Sequence, residues 1–265
     1  MPLTTYGETF LLKKLFGQTV DSRSTNYLGL GFGSDADGIL SEISEVGYER
    51  SEITPVQWDL SSSTLINNVS VNLSTTSASF GSPTSWGIFD ASTAGNCLFT
   101  GVINPTQEIE ANQQIYFPVG ELNLSLSGFV SGSGITAYWK ELLLTDLVGK
   151  TNSTPPTMYV GFSSSTDLET TITGETFSGG YARELFGASE AVVEDTGKAV
   201  TSNSSDISFT VSGSWGTDLV RMFIATDSTA TGEENLVIVG AVTSMSPILG
   251  DIVTVAANAF KVTVE

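Results

Sequence analysis

The chain contains the same pattern twice, and this repetition constrains its fold more than any other feature. YLGLGFG at Tyr27–Gly33 returns as YVGFSS after Met158, with Tyr27 and Tyr159 132 residues apart. Upstream, ETFLLKKLFG ends at Gly17 and YWKELLLTDLVG ends at Gly149, again 132 apart. Leu11, Leu12 and Leu15 fall opposite Leu143, Leu144 and Leu147. Apolar residues at i, i+1 and i+4 make a helical face. A closing Gly suits the left-handed position after a helix. Each half is therefore expected to open with a short helix followed by a strand.

The match continues with drift. VGYER around Tyr48 faces GGYAR around Tyr181 at a spacing of 133. WGIFDAST, with Phe89, is set against RMFIATDST, with Phe223, at about 134. CLFTG ends at Gly101 and VIVG at Gly240, 139 apart. Leu122, Leu124 and Leu126 alternate as Phe260, Val262 and Val264 do, at a spacing of 138. Period-two alternation buries one face of a strand and wets the other. The spacing changes only between strands, where insertions are tolerated. These landmarks imply a tandem duplication, residues 1–130 and 131–265, joined within the Gly- and Ser-rich LSGFVSGSGIT. Short strand-like runs between turn signals predict an all-β fold: two tandem β-sandwich, jelly-roll-like domains, each preceded by a short helix. LFGASEAVVEDTG, Leu185 to Gly197, is expected to form a helical turn or a lid-like loop.

Composition narrows the function. The 265 residues carry 29 acidic and 10 basic side chains, a net charge of −19. Phosphate backbones are bound by Lys and Arg, so neither nucleic acid nor an anionic membrane is an expected partner. The charge is expected to serve solubility. One cysteine, Cys97, excludes an intrachain disulfide, and its apolar run predicts burial. MPLTTYGETF has no basic segment followed by an apolar core, and no apolar run approaches about 18 residues. The expectation is a soluble protein made in the cytoplasm.

The chain has no histidine. Ser-His-Asp and Cys-His nucleophile systems are thereby excluded, and a zinc site would need carboxylates alone. There is no P-loop, and GLGFGSDADG lacks the βαβ context of a dinucleotide site. If Gly38 is taken as position six of an EF-hand loop, positions one and twelve are Gly33 and Ser44, where acids are required. A looser cation site on Asp35, Asp37 and Glu42 is the alternative to a solvated Asp-Gly turn. Glu108 with Glu110, and Glu233 with Glu234, are the candidate glycosidase pairs, but both lie in polar loops that favour solvation. Trp58, Trp86, Trp139 and Trp215 sit in or beside apolar runs, which favours core roles over sugar stacking. No catalytic, cofactor-binding or metal-binding residue is assigned, no cofactor is expected, and the chain is expected not to be an enzyme. Arg50 and Arg183 follow GYx at matching places. Each is expected to form an ion pair inside its own domain, the alternative being a contact with another subunit.

Taken together, Tyr27–Leu30, Gly47–Arg50, Trp86–Ala91 and Leu98–Gly101 resemble a group of tailed-phage virion proteins commonly described as phage tail fibre proteins. The second half keeps Tyr159–Phe162 and Gly179–Arg183 but has RMFIA in place of WGIFD. Members usually hold one such unit. The resemblance implies a structural role in the virion. Within that class the leading expectation is a capsid decoration or cement protein that binds across major capsid subunits and is homo-oligomeric on the particle. The alternative is a tail fibre or baseplate component contacting the host surface.

Overall fold

The computed structural model describes residues 3–21, 23–39, 41–73, 77–126, 134–168, 170–175, 178–216 and 218–263. Residues 127–133, in which the sequence places the domain boundary, lie outside them, as does Val264.

Both expected helices are present, α1 at Thr5–Leu15 and α2 at Ala137–Leu147. Each ends as the glycine spacing predicts. Gly17 and Gly149 adopt φ of 70° and 73°. The Gln18 and Gly17 amides donate to the carbonyls of Lys13 and Lys14. Lys150 and Gly149 do the same with Thr145 and Asp146. These are Schellman closures, which satisfy carbonyls that a helix end leaves open.

Each repeat then builds a main antiparallel sheet. In repeat 1 the order is Ser51–Ile53, Asn26–Gly31, Ser85–Phe89, Cys97–Val102. In repeat 2 it is Gly134–Ile135, Leu236–Met245, Leu219–Ala225, Tyr159–Ser163, Glu184–Leu185. Short sheets make a second layer: Asn123–Ser125, Thr64–Asn67 and Trp58–Ser61 in repeat 1 correspond to Lys261–Thr263, Lys198–Ser202 and Val193–Asp195 in repeat 2. Leu28, Leu30 and Ile88 from the main sheet share a core with Trp58, Leu65 and Leu124 from the second layer. The β-rich tandem architecture agrees with expectation, although these strand orders do not by themselves make a jelly roll.

Two readings of the sequence change. The segment Leu185–Gly197 forms neither a helical turn nor a lid. Val193–Asp195 pairs with Lys198–Ser202 across Thr196 and Gly197, at φ 53° and 76°. Two successive positive φ values make the turn whose twist matches a hairpin, and Ser62 and Ser63 repeat it at φ 49° and 60° in the first half. The second change concerns register. Gly29 lies opposite Gly87, but Gly161 lies opposite Phe223. The true correspondence on this strand is therefore 136 residues, not 134, and Phe223 replaces Gly87 rather than Phe89. A shift of two keeps a side chain on the same face. An added Cβ at Gly29 would meet the Phe89 ring at 2.8 Å, and one at Gly161 would meet the Phe223 ring at 2.4 Å. One cavity is filled from two neighbouring same-face positions.

The repeats interlock. α1 packs on α2 and on the Lys198–Ser202 strand of repeat 2, while α2 packs on the Thr64–Asn67 strand of repeat 1. Gln18 and Lys150, each just past its helix, reach into the opposite repeat. Gln18 donates to Ser189 Oγ and the Glu190 carbonyl and accepts from the Val192 amide. Lys150 donates to the Trp58 carbonyl and pairs with Asp59 at 3.3 Å. The Glu8 carboxylate accepts from the Ala199 amide at 3.0 Å. The pattern is that of an isologous dimer, here within one chain, and a single apolar cluster runs through both halves.

Candidate functional site

Arg50 and Arg183 hold the same place in the two repeats. Arg50 donates through Nε and Nη2 to the two carboxylate oxygens of Glu42, each at 2.7 Å. Arg183 does the same with Glu175, at 2.9 and 2.6 Å. Nη1 of Arg50 donates to the Ala91 and Ala94 carbonyls, and Nη1 of Arg183 to those of Asp227 and Ala230. The Tyr48 hydroxyl donates to Glu42 and accepts from the Leu30 amide. Tyr181 does so with Glu175 and the Phe162 amide. The guanidinium carbons lie 3.5 Å and 5.2 Å from the ring centroids of Phe89 and Phe223. Burial, with the adjacent carboxylate adding to it, pushes both phenols above their ordinary range. The planar fork of Arg matches a carboxylate bidentately. Here its donors are satisfied inside the fold, so each cluster ties a loop to the main sheet. This supports the in-domain ion pair over a subunit contact.

The other candidates separate. Glu42 is committed to Arg50 and Tyr48, so it does not join Asp35 and Asp37 as a cation ligand. Those two are exposed at a two-stranded hairpin, where Asp35 accepts from the Asp37 amide at 2.8 Å. Among the described residues no group of three or more His, Cys, Asp or Glu is arranged to hold a metal. Glu108 and Glu110 are exposed, and Glu233 and Glu234 cap a short 3-10 turn. All four tryptophans are buried, as their apolar surroundings predict. Cys97 is buried too, and burial pushes its thiol up to about 12.

Sequence reasoning missed two features. The first is a pair of buried asparagines. Asn67 donates to the Val69 and Pro118 carbonyls and accepts from the Leu122 amide. Asn203 donates to those of Ser205 and Ala256 and accepts from the Phe260 amide. Their signal was the spacing, 136 residues, the same as on the neighbouring strand. Asn203 also starts an Asn-x-Ser sequon, but its side chain is fully used within the core.

The second is a cleft of about 650 Å³ in repeat 1. Leu30 and Trp86 lie at the main sheet, and the wall is the excursion from Ile103 to Pro118. Pro83 and Pro105 stand beside the ends of the two ladder strands. Proline has no amide to donate, so pairing stops and the chain peels away. The matching stretch of repeat 2 has no proline before Pro247, and its strand runs on to Met245, opposite Leu219. Cleft and extended strand are thus two outcomes at one position. Asn104, Gln107, Gln113 and Gln114 line the cleft with carboxamides, and Glu121 is its single charged residue. Tyr116, at the rim, is 61% exposed.

A family model described as Podophage GP4 fiber I protein gp80 matches the chain twice, over residues 2–125 and 134–263. The chain belongs to this fiber I family. Comparison with curated proteins finds no match. Two successive matches make the chain a tandem duplication of one fiber I unit, which is what the recurring strand and helix spell out. Family membership makes it a phage virion component of the fibre class, and this agrees better with the fibre expectation than with capsid decoration. No described helix is long and apolar enough to cross a membrane.

Proposed function

We propose that the chain is a non-enzymatic structural subunit of a phage tail fibre, held to other virion proteins by non-covalent contacts and positioned to touch the host surface. The observation that carries this reading is the fiber I match across both repeats. The titratable groups support it: the most deeply placed, Arg183 with Glu175, are locked to each other, and the remaining carboxylate pairs lie at the surface. Homo-oligomerisation on the particle belongs to the same proposal. Shell decoration predicts a copy number comparable to, or a simple fraction of, the major capsid protein. A fibre subunit predicts about a per cent of it. Quantitative mass spectrometry of purified virions, with antibody labelling to locate the chain, distinguishes them. A ratio near one, with label over the head, would overturn the fibre assignment, and absence from the particle would overturn the virion role.

A further inference from the structure

We infer that the cleft of repeat 1 is a binding site for a neutral saccharide, an assignment that rests on the host-contacting reading above. Three observations point there. The first is position. The fold does not require the cleft, because repeat 2 closes the same place with a strand that runs to Met245. The repeats share their helix closures, arginine clusters and asparagine knots, yet they part at this site. The second is chemistry. Four carboxamides offer donors and acceptors side by side, as a sugar hydroxyl does. The Tyr116 ring and Pro105 supply an apolar surface for the C–H face of a pyranose, and the tyrosine adds a polar tip. The third is charge. The cleft has no Lys or Arg among its lining residues, and it has Glu121. On a chain of net charge −19 this disfavours phosphate, sulfate and sialic acid. The volume of about 650 Å³ falls within the range of small-ligand sites.

The test uses the full chain. Saturation-transfer NMR and calorimetric titration are run with glucose, galactose, rhamnose and N-acetylglucosamine, as free sugars and short oligomers, with sialic acid as the anionic control. At least one neutral sugar is expected to bind at about millimolar strength. Tyr116→Ala and Gln113→Ala should each weaken it by about tenfold. Ile252→Ala, on the exposed corresponding strand of repeat 2, should leave it unchanged. Thermal melts establish that the variants are folded. No binding by any neutral sugar, preference for sialic acid, or binding indifferent to both cleft variants would overturn the assignment. So would concentration-dependent self-association lost in Tyr116→Ala, since it would make a second copy the occupant. Virion copy number and label position decide the fibre reading separately. A fibre subunit that binds no sugar would sink this inference alone.

Discussion

Glu42 and Glu175 make the same bonds and differ in access to water. The Glu175 and Arg183 side chains are 2% and 0% exposed, while those of Glu42 and Arg50 are 26% and 6% exposed. Removing one partner of a buried pair strands a charge and costs about 3–5 kcal/mol. Glu175→Ala should therefore destabilise by about that much in urea unfolding, and Glu42→Ala by clearly less, because water reaches the guanidinium it leaves. Equal losses would show that burial does not set the scale. The same clusters fix an alkaline limit. Tyr48, Tyr181 and Cys97 are all held protonated by burial, above their ordinary values. A group with a raised folded pKa leaves the unfolded state deprotonated first, so stability falls as pH rises. The protein should be insensitive to these groups at neutral pH and lose stability from about pH 9–10 upward, the ordinary range of thiol and phenol. Tyr48→Phe should flatten that slope in pH-resolved denaturation curves. Cys97 should resist thiol reagents until the chain unfolds.

At the scale of the element, the two helix closures are alike in φ and unlike in surroundings. A Cβ at Gly17 would stand 3.3 Å from Pro155, a contact that can relax. One at Gly149 would stand 2.4 Å from the Arg23 carbonyl oxygen, which is backbone of the other repeat. Gly17→Ala should cost about 1 kcal/mol, the ordinary penalty for a side chain at left-handed φ. Gly149→Ala should cost more, because it also pushes the repeats apart. Thermal unfolding of the two variants checks the order. The strand that carries Phe89 and Phe223 teaches a related lesson. Aligning the two aromatics by eye gave 134, while hydrogen-bond register gives 136. Packing requires that a ring fill the space beside Gly29 or Gly161, and a strand can meet that need from either of two same-face positions.

The molecule as a whole behaves as a dimer made continuous. Each helix covers the second-layer sheet of the opposite repeat, and one apolar cluster spans both. Separating the halves would expose Leu11, Leu15, Leu144 and Leu147, all at most 2% exposed. The full chain should therefore unfold in one cooperative transition, with calorimetric and van't Hoff enthalpies in agreement. Two resolved transitions would mean that the repeats are stable apart.

Much of this was legible in the residues. The duplication, the helices at the start of each repeat, the glycines that end them, the period-two strands and the buried tryptophans are local or periodic signals. They depend on the conformation of neighbouring residues and on which face of an element is apolar, so a linear chain displays them. Arg50 and Arg183 could be singled out by context, yet their partners lie eight residues upstream, and only the folded loops show that Glu42 is spent on Arg50 rather than free to join Asp35 and Asp37. The exchange of helices between repeats and the cleft beside Pro83 and Pro105 were decided by tertiary structure alone. Amphipathic helices state that they must be covered without stating by what, and two prolines state where a ladder ends without stating where the released chain goes. Those choices rest on contacts between residues tens to more than a hundred positions apart, which no local pattern encodes.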